Sequence, residues 1–455
     1  MTDNDYLLGI SLSIGVCLLG LCLLLKALRE NGPSLGLPFA YLCILLINHV
    51  PGAAVPLMAT SYSHLPEVAL GIKYTAISSI CFAVGAWYAR WRTQEQRLAP
   101  ALPSSAEVPD DTDRGFWIYC VGMGWLVSFV LSPLANLPSV GAVVYYAGAI
   151  WMLGNLLGLR WAVKAKKTAW TLFWLGCLTV YPLLILFRAG FLGYGVTAVV
   201  IVLSALGVAA KGYWRVLIAI ALMIYLGLSL FANYFQGRDY LRQILWSDAP
   251  VSTRIMAAGR VISESKAFDS SDELVLAGLD MRLNQNYFIG VAAQNLENGQ
   301  VEYLNGKSIS DAVLAVIPRA LWPGKTVTAG SPDIVMAMTG LYLSTWTSWG
   351  IGNVMEFYIN FGVPGLIVGF LFLGWMIGRL DHRAALYAGR RDYGMALVFF
   401  LPGVAAVQPL GSLVELTGGC ASAWIAGHCW AWIYNNWWGR KAGQNALETA
   451  PPTVS

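Results

Sequence analysis

Charged residues are scarce in this chain: Asp, Glu, Lys and Arg make up 12% of its 455 residues, whereas 57% are hydrophobic. A soluble globular protein carries about a quarter of its residues as charged side chains. A charged fraction this low, together with apolar runs of about 20 residues, is typical of a chain that crosses a lipid bilayer several times. The net charge of +4 arises from basic residues at the ends of these runs, so it does not indicate a nucleic-acid partner.

Cysteine and histidine are absent from the one long polar segment, residues 236–354. The eight cysteines all lie in apolar stretches, so a disulfide-bonded extracellular module is excluded, and their spacing fits no zinc site. Without histidine the segment also lacks the usual base of a Ser-His or Cys-His catalytic site, which disfavours a hydrolase or a peptidase. We expect no metal and no other cofactor.

The apolar runs predict an all-α polytopic membrane protein with about eleven transmembrane helices. The first run follows an acidic N-terminus and lacks a cleavage site, so we interpret it as a retained helix rather than a signal peptide. Pro51 and Pro56 predict a kink or break in the second run, which also contains His49. Pro402 and Pro409 predict that the tenth run is partly re-entrant. The runs are residues 6–25, 36–58, 68–89, 115–136, 138–159, 169–187, 191–210, 213–235, 355–378, 393–411 and 418–437.

Basic residues indicate the orientation of these helices, because Lys and Arg collect on the cytoplasmic side of a membrane. With the N-terminus outside, six predicted cytoplasmic segments hold basic residues, whereas the short outer loops 61–67 and 132–139 have none. The same register places the long polar segment outside and the C-terminus in the cytoplasm. The basic residues of the six segments are Lys26, Arg29, Arg90, Arg92, Arg97, Arg160, Lys164, Lys166, Lys167, Lys211, Arg215, Arg379, Arg383, Arg390, Arg391, Arg440 and Lys441.

This topology divides the chain into four parts. Residues 1–235 carry the first eight helices, with a flexible cytoplasmic linker near residues 90–114. Residues 236–354 form a large loop outside the cytoplasm, which holds nine basic and eleven acidic residues. Residues 355–438 carry the last three helices, and residues 439–455 form a cytoplasmic tail.

The large loop and its edges carry side chains suited to glycosyl transfer from a lipid-linked diphosphate. Arginine binds phosphate or diphosphate in a planar, bidentate manner, and lysine adds a compact charge to the same oxygens. A carboxylate beside a helix start can remove a proton from an acceptor hydroxyl, and flat aromatic rings can stack on sugars. The catalytic candidates are Glu356, Arg319 and Arg282, and the substrate-binding candidates are Arg188, Arg260, Asn284, Gln285, Lys325, Trp322, Tyr358 and Asn360.

The order of these blocks resembles that of the bacterial oligosaccharide repeat-unit polymerases, the Wzy or O-antigen polymerase-like family. The most specific pieces are Pro318 with Arg319, the run 322–325, and the run 356–362, while Arg188 opens the predicted seventh helix. The resemblance implies a GT-C-like architecture in the bacterial inner membrane, with the N-terminus and the large loop in the periplasm. It further implies that the protein joins undecaprenyl-diphosphate-linked donor and acceptor units at the periplasmic face, without a metal or a nucleotide sugar. A chain-length regulator protein would be a further partner.

Two other functions stay open. A related O-antigen ligase-like transferase would carry a histidine beside the arginines of its large loop, and this loop has none. A transporter or flippase of lipid-linked glycan would place ionisable residues at the bilayer midplane between broken helices, and His49 with its neighbouring prolines is the best feature for that function. The main candidates also have structural alternatives: ion pairs or carbonyl contacts for Arg282 and Arg319, solvation for Lys325, and a favourable interaction with its own helix dipole for Glu356.

Overall fold

Every regular element in the described part of the chain is helical, and fifteen helices have defined bounds there. The computed structural model describes residues 2–59, 61–91, 111–131, 140–189, 193–210, 268–317 and 350–437, and also 133–134, 137, 212, 216, 218–219, 221–229, 243–244, 247, 250, 253–254, 256–257, 259–260, 321–322, 324–325 and 331–342. The helices are α1 (Asp3–Glu30), α2 (Leu37–Met58), α3 (Leu65–Trp91), α4 (Asp111–Phe129), α5 (Val140–Gly148), α6 (Ile150–Lys164), α7 (Thr168–Ala189), α8 (Gly193–Ala209), α9 (Glu273–Leu283), α10 (Gln285–Glu297), α11 (Lys307–Ala315), α12 (Ser331–Thr339), α13 (Asn353–Gly389), α14 (Tyr393–Ala406) and α15 (Leu413–Trp437).

Six helical segments in the described residues are long and apolar enough to cross a membrane. They are α1, α2, α3, α5 together with α6, α7 as far as Ile185, and α13. Each corresponds to one of the predicted apolar runs, so the expectation of an all-α chain with several membrane helices is confirmed. Helices α8 and α14 are apolar but shorter, and the predicted run 213–235 lies only partly within the described residues. The count of eleven therefore stays a prediction.

Helices α3 and α13 form a central contact of the bundle. A Cβ atom on Gly374 would overlap the backbone carbonyl of Phe82, and one on Gly85 would overlap the carbonyl of Leu371. Small residues at such positions let two helix backbones approach closely, which is how apolar helices gain packing energy in a lipid environment. Helix α1 also packs on α3, so α3 is covered by two long helices.

Helix α2 runs unbroken from Leu37 to Met58 with Pro51 and Pro56 inside it, so of the predicted kink or break the break is not present, and the kink stays a prediction. Each proline removes one N–H group from the helix, but the neighbouring helices α3, α8 and α9 enclose α2 and make this tolerable. In the tenth run, Pro402 lies inside α14, whereas Pro409 lies in the connection to α15. The run therefore ends at that connection.

Helix α13 is interrupted close to its start. Phe361 (φ −144°) and Gly362 (φ 62°, ψ −146°) leave helical geometry, and Pro364 follows inside the helix. A side chain at Gly362 would be strained by this positive φ, and Pro364 has no N–H with which to continue the hydrogen-bond ladder. The interruption separates a first section, residues 353–360, from the long apolar section that follows. That first section carries Glu356.

The two ends of the bundle differ in chemistry. At the end that we call the Arg90 end, Arg90 forms a buried ion pair with Asp381, and Arg29 and Arg160 contact neighbouring backbone carbonyls. At the opposite end, the Glu356 end, helices α9 to α11 pack against α2, α3, α13 and α15. Three of the predicted cytoplasmic segments therefore share one end, and the described helices of the polar segment lie at the other.

Two glycines set the position of α10 on α3. A Cβ atom on Gly71 would overlap the carbonyl oxygen of Asn286, and one on Gly290 would overlap the carbonyl oxygen of Glu67. The overlapping atoms belong to the backbone and have no rotamer to change, so this close approach requires both positions to lack a side chain. The contact fixes where the polar residues at the start of α10 sit relative to the membrane helices.

We expect Gly290→Ala to lower the free energy of unfolding by about 1–3 kcal/mol, because the added methyl group must push α10 away from α3. Thermal unfolding of the purified chain in detergent measures the loss. Gly15→Ala is the matched control, since nothing lies within 4 Å of its Cβ position and alanine is the better helix former. Equal unfolding midpoints for the two variants would contradict the close helix contact.

Candidate functional site

A buried polar network joins the start of α10 to the membrane helices α2 and α3. Asn286 is fully buried; its Nδ2 donates to the carbonyl of His49 (2.7 Å), and its Oδ1 accepts from Oγ1 of Thr75 (3.1 Å). Nδ1 of His49 lies 3.0 Å from the same Oδ1, which assigns the ring proton to Nδ1 because an amide oxygen only accepts. These polar atoms are paired inside an apolar environment, as stability requires.

A second cluster adjoins this network at the end of α9. Tyr62 donates to Oδ1 of Asp280 (2.7 Å), and Nδ2 of Asn284 donates to the same oxygen (2.6 Å). Burial raises the pKa of the Tyr62 hydroxyl, and the hydrogen bond to the Asp280 carboxylate adds to the rise, so Tyr62 remains a proton donor at neutral pH. Oδ1 of Asn284 accepts from Asn286, which links the two clusters. Arg282, half-buried, lies in the last turn of α9 beside them.

Glu356 lies in the first turn of α13 and is fully buried. Its Oε2 accepts a 2.7 Å hydrogen bond from the backbone N–H of Leu413, the first residue of α15. Because a helix N-terminus carries partial positive charge, α15 stabilises this carboxylate. Its Oε1 has no partner of hydrogen-bond geometry among the described groups, although the Ser308 hydroxyl lies near the carboxylate. One oxygen therefore has a structural role, and the other is available to take up a proton.

The surroundings of Glu356 are acidic. Glu415 and Asp311 act on it as like charges. Glu415 forms a reciprocal cap with Ser412, since its Oε2 accepts the Ser412 N–H (3.0 Å) and its own N–H donates to Oγ of Ser412 (3.2 Å). Within the described residues, no lysine or arginine forms an ion pair with Glu356. Among the candidate cations with described side chains, Arg260, Arg282 and Lys325, none is thus paired with the carboxylate.

Asn360 and Tyr358 hold other elements against the first section of α13. Nδ2 of Asn360 donates to Oγ of Ser308 (2.8 Å), and its Oδ1 accepts the N–H of Gly306 (2.9 Å). The Tyr358 hydroxyl lies 3.1 Å from that of Tyr74, with the two ring centroids 4.4 Å apart. Both side chains are buried and have these structural contacts, so their binding of substrate stays a prediction.

Lys325 is buried rather than solvated. Its Nζ donates to the carbonyls of Ala315 and Ile317, each at 3.0 Å, just after the end of α11. A cation in this position satisfies carbonyls that have no partner within the helix and complements the helix dipole. The structure therefore gives Lys325 the role of a C-terminal cap of α11, as an alternative to substrate binding. The side chain of the nearby candidate Trp322 is 42% exposed.

Three further candidates are placed only in part. Arg188 lies in the last turn of α7, so it ends that helix rather than opening the next one, and its side chain lies outside the described residues. Arg319 as a whole also lies outside them. Arg260 is exposed, and Gln285 is buried as the first residue of α10.

The structure groups the described candidates at separate places of the Glu356 end. Glu356 and Asn360 share the first section of α13, Arg282 and Asn284 share the junction of α9 and α10, and Lys325 lies at the end of α11. These candidates and the adjoining Asn286 have as partners Tyr62, Asp280, Thr75 and Ser308, none of which the sequence singled out as a site residue. Asp280 could have been found from the sequence, because it stands two residues before Arg282 in the same polar run. The other three carry no local signal, because their contacts come from distant parts of the chain.

Comparison with known proteins gives the chain a family but no described activity. No curated protein and no solved structure shows significant similarity to it. One family model, described as a domain of unknown function (DUF8712), matches residues 103–402, which is more than half of the chain and includes α4 to α13 with Glu356. The chain therefore belongs to this family, DUF8712.

Proposed function

We propose that the chain is a membrane glycosyltransferase that polymerises undecaprenyl-diphosphate-linked oligosaccharide repeat units, with its reaction centre at the Glu356 end. The observation that supports this most directly is the buried Glu356 carboxylate, whose Oε1 has no partner of hydrogen-bond geometry among the described groups and lies near the Ser308 hydroxyl. A carboxylate in such surroundings is suited to proton transfer. The sequence resemblance to repeat-unit polymerases supports the same residue as the proton acceptor.

In the proposed reaction, a hydroxyl of the acceptor sugar attacks the anomeric carbon of the donor repeat unit. The hydroxyl proton passes to Oε1 of Glu356 and the new glycosidic C–O bond forms. The bond between the anomeric carbon and the diphosphate breaks, and its electron pair stays on the diphosphate oxygen. Arg282 and Arg319 stabilise the charge that develops on this leaving group. The donor is activated by its own diphosphate, so the reaction uses no nucleotide sugar.

The proposal requires the bound diphosphate to lie between the end of α9 and the start of α13. Arg282 lies at the end of α9 and Glu356 is bonded to the start of α15, so in the proposed complex the substrate connects the two residues. A lipid-linked oligosaccharide is an extended molecule with its diphosphate between the lipid and the sugar. The remaining substrate contacts would come from Arg188, Arg260, Gln285 and Trp322.

The proposal includes the finer topology: about eleven membrane helices in a GT-C-like arrangement in the bacterial inner membrane. The N-terminus and residues 236–354 would lie in the periplasm, and the C-terminus in the cytoplasm. This is supported by the position of Arg29, Arg90 and Arg160, which share the end of the bundle opposite Glu356. Basic residues at one end are the signature of a cytoplasmic face.

The transporter alternative depends chiefly on His49, and the contacts of that residue favour the enzyme instead. His49 is bonded by Asn286 through both its ring and its backbone carbonyl. A residue that binds a transported ion or substrate needs polar atoms facing a pathway. The contacts of His49 fasten α10 to α2.

We expect Arg282→Ala and Arg319→Ala each to abolish long polymer while single repeat units remain attached to lipid, because the leaving diphosphate loses its stabilising cation. Loss of one such group typically costs about 100- to 1,000-fold in rate. Gel analysis of glycan from a gene-deletion strain that expresses each variant measures the effect. Arg254→Ala is the control, since Arg254 is a half-buried arginine of the same segment whose guanidinium donates to the carbonyl of Ser247. Long chains in both test variants would refute the arginine assignment.

A further inference from the structure

A cavity of about 330 Å³ lies at the Arg90 end, away from the proposed reaction centre. It is lined by the end of α1, the connection that follows it, α6 and the end of α8. Two of the lining side chains are arginines, Arg29 from α1 and Arg160 from α6. Both side chains are half-buried, and two guanidinium groups that line one cavity are suited to bind an anion between them.

The carboxylate at this end is already saturated. Asp381 forms an ion pair with Arg90 and also accepts from the Ser34 hydroxyl (2.7 Å) and from the N–H groups of Leu35 (3.0 Å) and Leu37 (3.1 Å). Four donors fill the lone-pair positions of a carboxylate. Asp381 therefore neutralises Arg90 and has no lone pair left to accept a hydrogen bond from Arg160, on which it acts through its charge alone.

Arg160 makes only a weak contact with the described protein groups. Its Nη1 lies 3.4 Å from the carbonyl oxygen of Ser34, at the long limit for a hydrogen bond. Within the described residues it forms no ion pair with an acidic side chain. Its remaining N–H groups are in a position to bind a planar or tetrahedral oxyanion in the cavity. Arg29 is directed to the same place by the bond from its Nη2 to the carbonyl of Gly207 (2.8 Å).

The position of the cavity indicates the source of the anion. It opens where three helix ends meet, and α1 and α7 carry exposed apolar side chains suited to contact with lipid, such as Leu19, Leu23 and Leu172. Basic pockets between membrane helices on the cytoplasmic side bind the head groups of anionic lipids. We infer that this cavity binds the phosphate group of an anionic phospholipid, held by Arg29 and Arg160.

The test compares three probes on the purified full-length chain in detergent: phosphatidylglycerol, phosphatidylcholine and inorganic phosphate. We expect phosphatidylglycerol to raise the midpoint of thermal unfolding in a saturable manner and phosphatidylcholine to leave it unchanged. In Arg160→Gln the affinity for phosphatidylglycerol should fall about tenfold or more, because a charge-assisted bidentate contact is lost. The affinity of Arg160→Lys, which keeps the charge but loses the bidentate donors, should lie between those of the wild type and Arg160→Gln. Arg160→Lys replaces Arg160→Gln in the test if the latter fails to fold.

Lys26→Gln is the matched control, because Lys26 is an exposed basic residue one turn before Arg29 and does not line the cavity. The affinity of Lys26→Gln for phosphatidylglycerol should differ from that of the wild type by less than about twofold at physiological salt, where exposed charges are screened. Equal binding of phosphatidylglycerol and phosphatidylcholine, or wild-type affinity in both Arg160 variants, would overturn the inference and leave the two arginines as caps of helix ends. Saturation by inorganic phosphate in the same concentration range would support the phosphate site and overturn the lipid as its source.

Discussion

Glu356→Gln should reduce polymer formation by at least about 100-fold while leaving the chain folded, since the variant removes only the proton acceptor. The glutamine keeps one amide oxygen, which can still accept the N–H of Leu413 and so preserve the contact between α13 and α15. The other polar atom of the glutamine side chain is the amide nitrogen, which does not take up a proton. The measurement is the length distribution of glycan in a deletion strain complemented with the variant.

The matched control is Glu415→Gln. Glu415 is a half-buried carboxylate in the same acidic surroundings, but its Oε2 serves the Ser412 N–H. Glutamine retains an oxygen for that cap, so polymer length should stay close to wild type. If both variants lost polymer equally, the effect would come from the packing of α15, and Glu356 would not be the base. If Glu356→Gln retained long chains at a wild-type unfolding midpoint, the proton-transfer role would be refuted.

Asp381→Asn should be the most destabilising single change at the Arg90 end, at about 3–5 kcal/mol, because it leaves the buried guanidinium of Arg90 without its counter-charge. Both side chains of this ion pair are 0% exposed. The free energy or the midpoint of unfolding in detergent measures the loss. The double variant Arg90→Met with Asp381→Asn should recover part of the stability, since it removes the unpaired charge and the asparagine keeps an oxygen for the N–H groups of Leu35 and Leu37.

Arg391→Gln provides the comparison. Arg391 pairs with Asp113 at 3.5 Å, but its side chain is 40% exposed. Water and salt screen such a pair, so the variant should cost less than about 1 kcal/mol. Equal losses for Asp381→Asn and Arg391→Gln would show that burial does not set the strength of the Arg90–Asp381 pair.

The helical nature of the chain could be predicted from its sequence because apolar length is a local property. The runs 6–25 and 68–89 became α1 and α3 with small changes at their bounds. The unbroken course of α2 could not be predicted in this way. Whether Pro51 and Pro56 break a helix depends on the neighbours that enclose it, and those come from α3, α8 and α9.

The candidate site could be predicted only where its signals are local. Glu356 stands out in the sequence as a carboxylate at a helix start, and the structure adds that it is fully buried and bonded to Leu413. The capping role of Lys325 depends on how the chain folds back onto the end of α11, which no motif encodes. The Arg90–Asp381 pair was missed for the same reason, because 291 positions of sequence separate its members.

The most direct test of the proposed polymerase is the fate of lipid-linked repeat units in a strain that lacks the gene. Labelling with a membrane-impermeant, sugar-directed reagent separates units on the periplasmic leaflet from those on the cytoplasmic leaflet. The proposal predicts that long polymer disappears and that single units on undecaprenyl diphosphate accumulate on the periplasmic leaflet, with recovery by the wild-type gene but not by Glu356→Gln. Accumulation on the cytoplasmic leaflet would identify a flippase instead, and polymer of unchanged length would contradict the proposed function altogether.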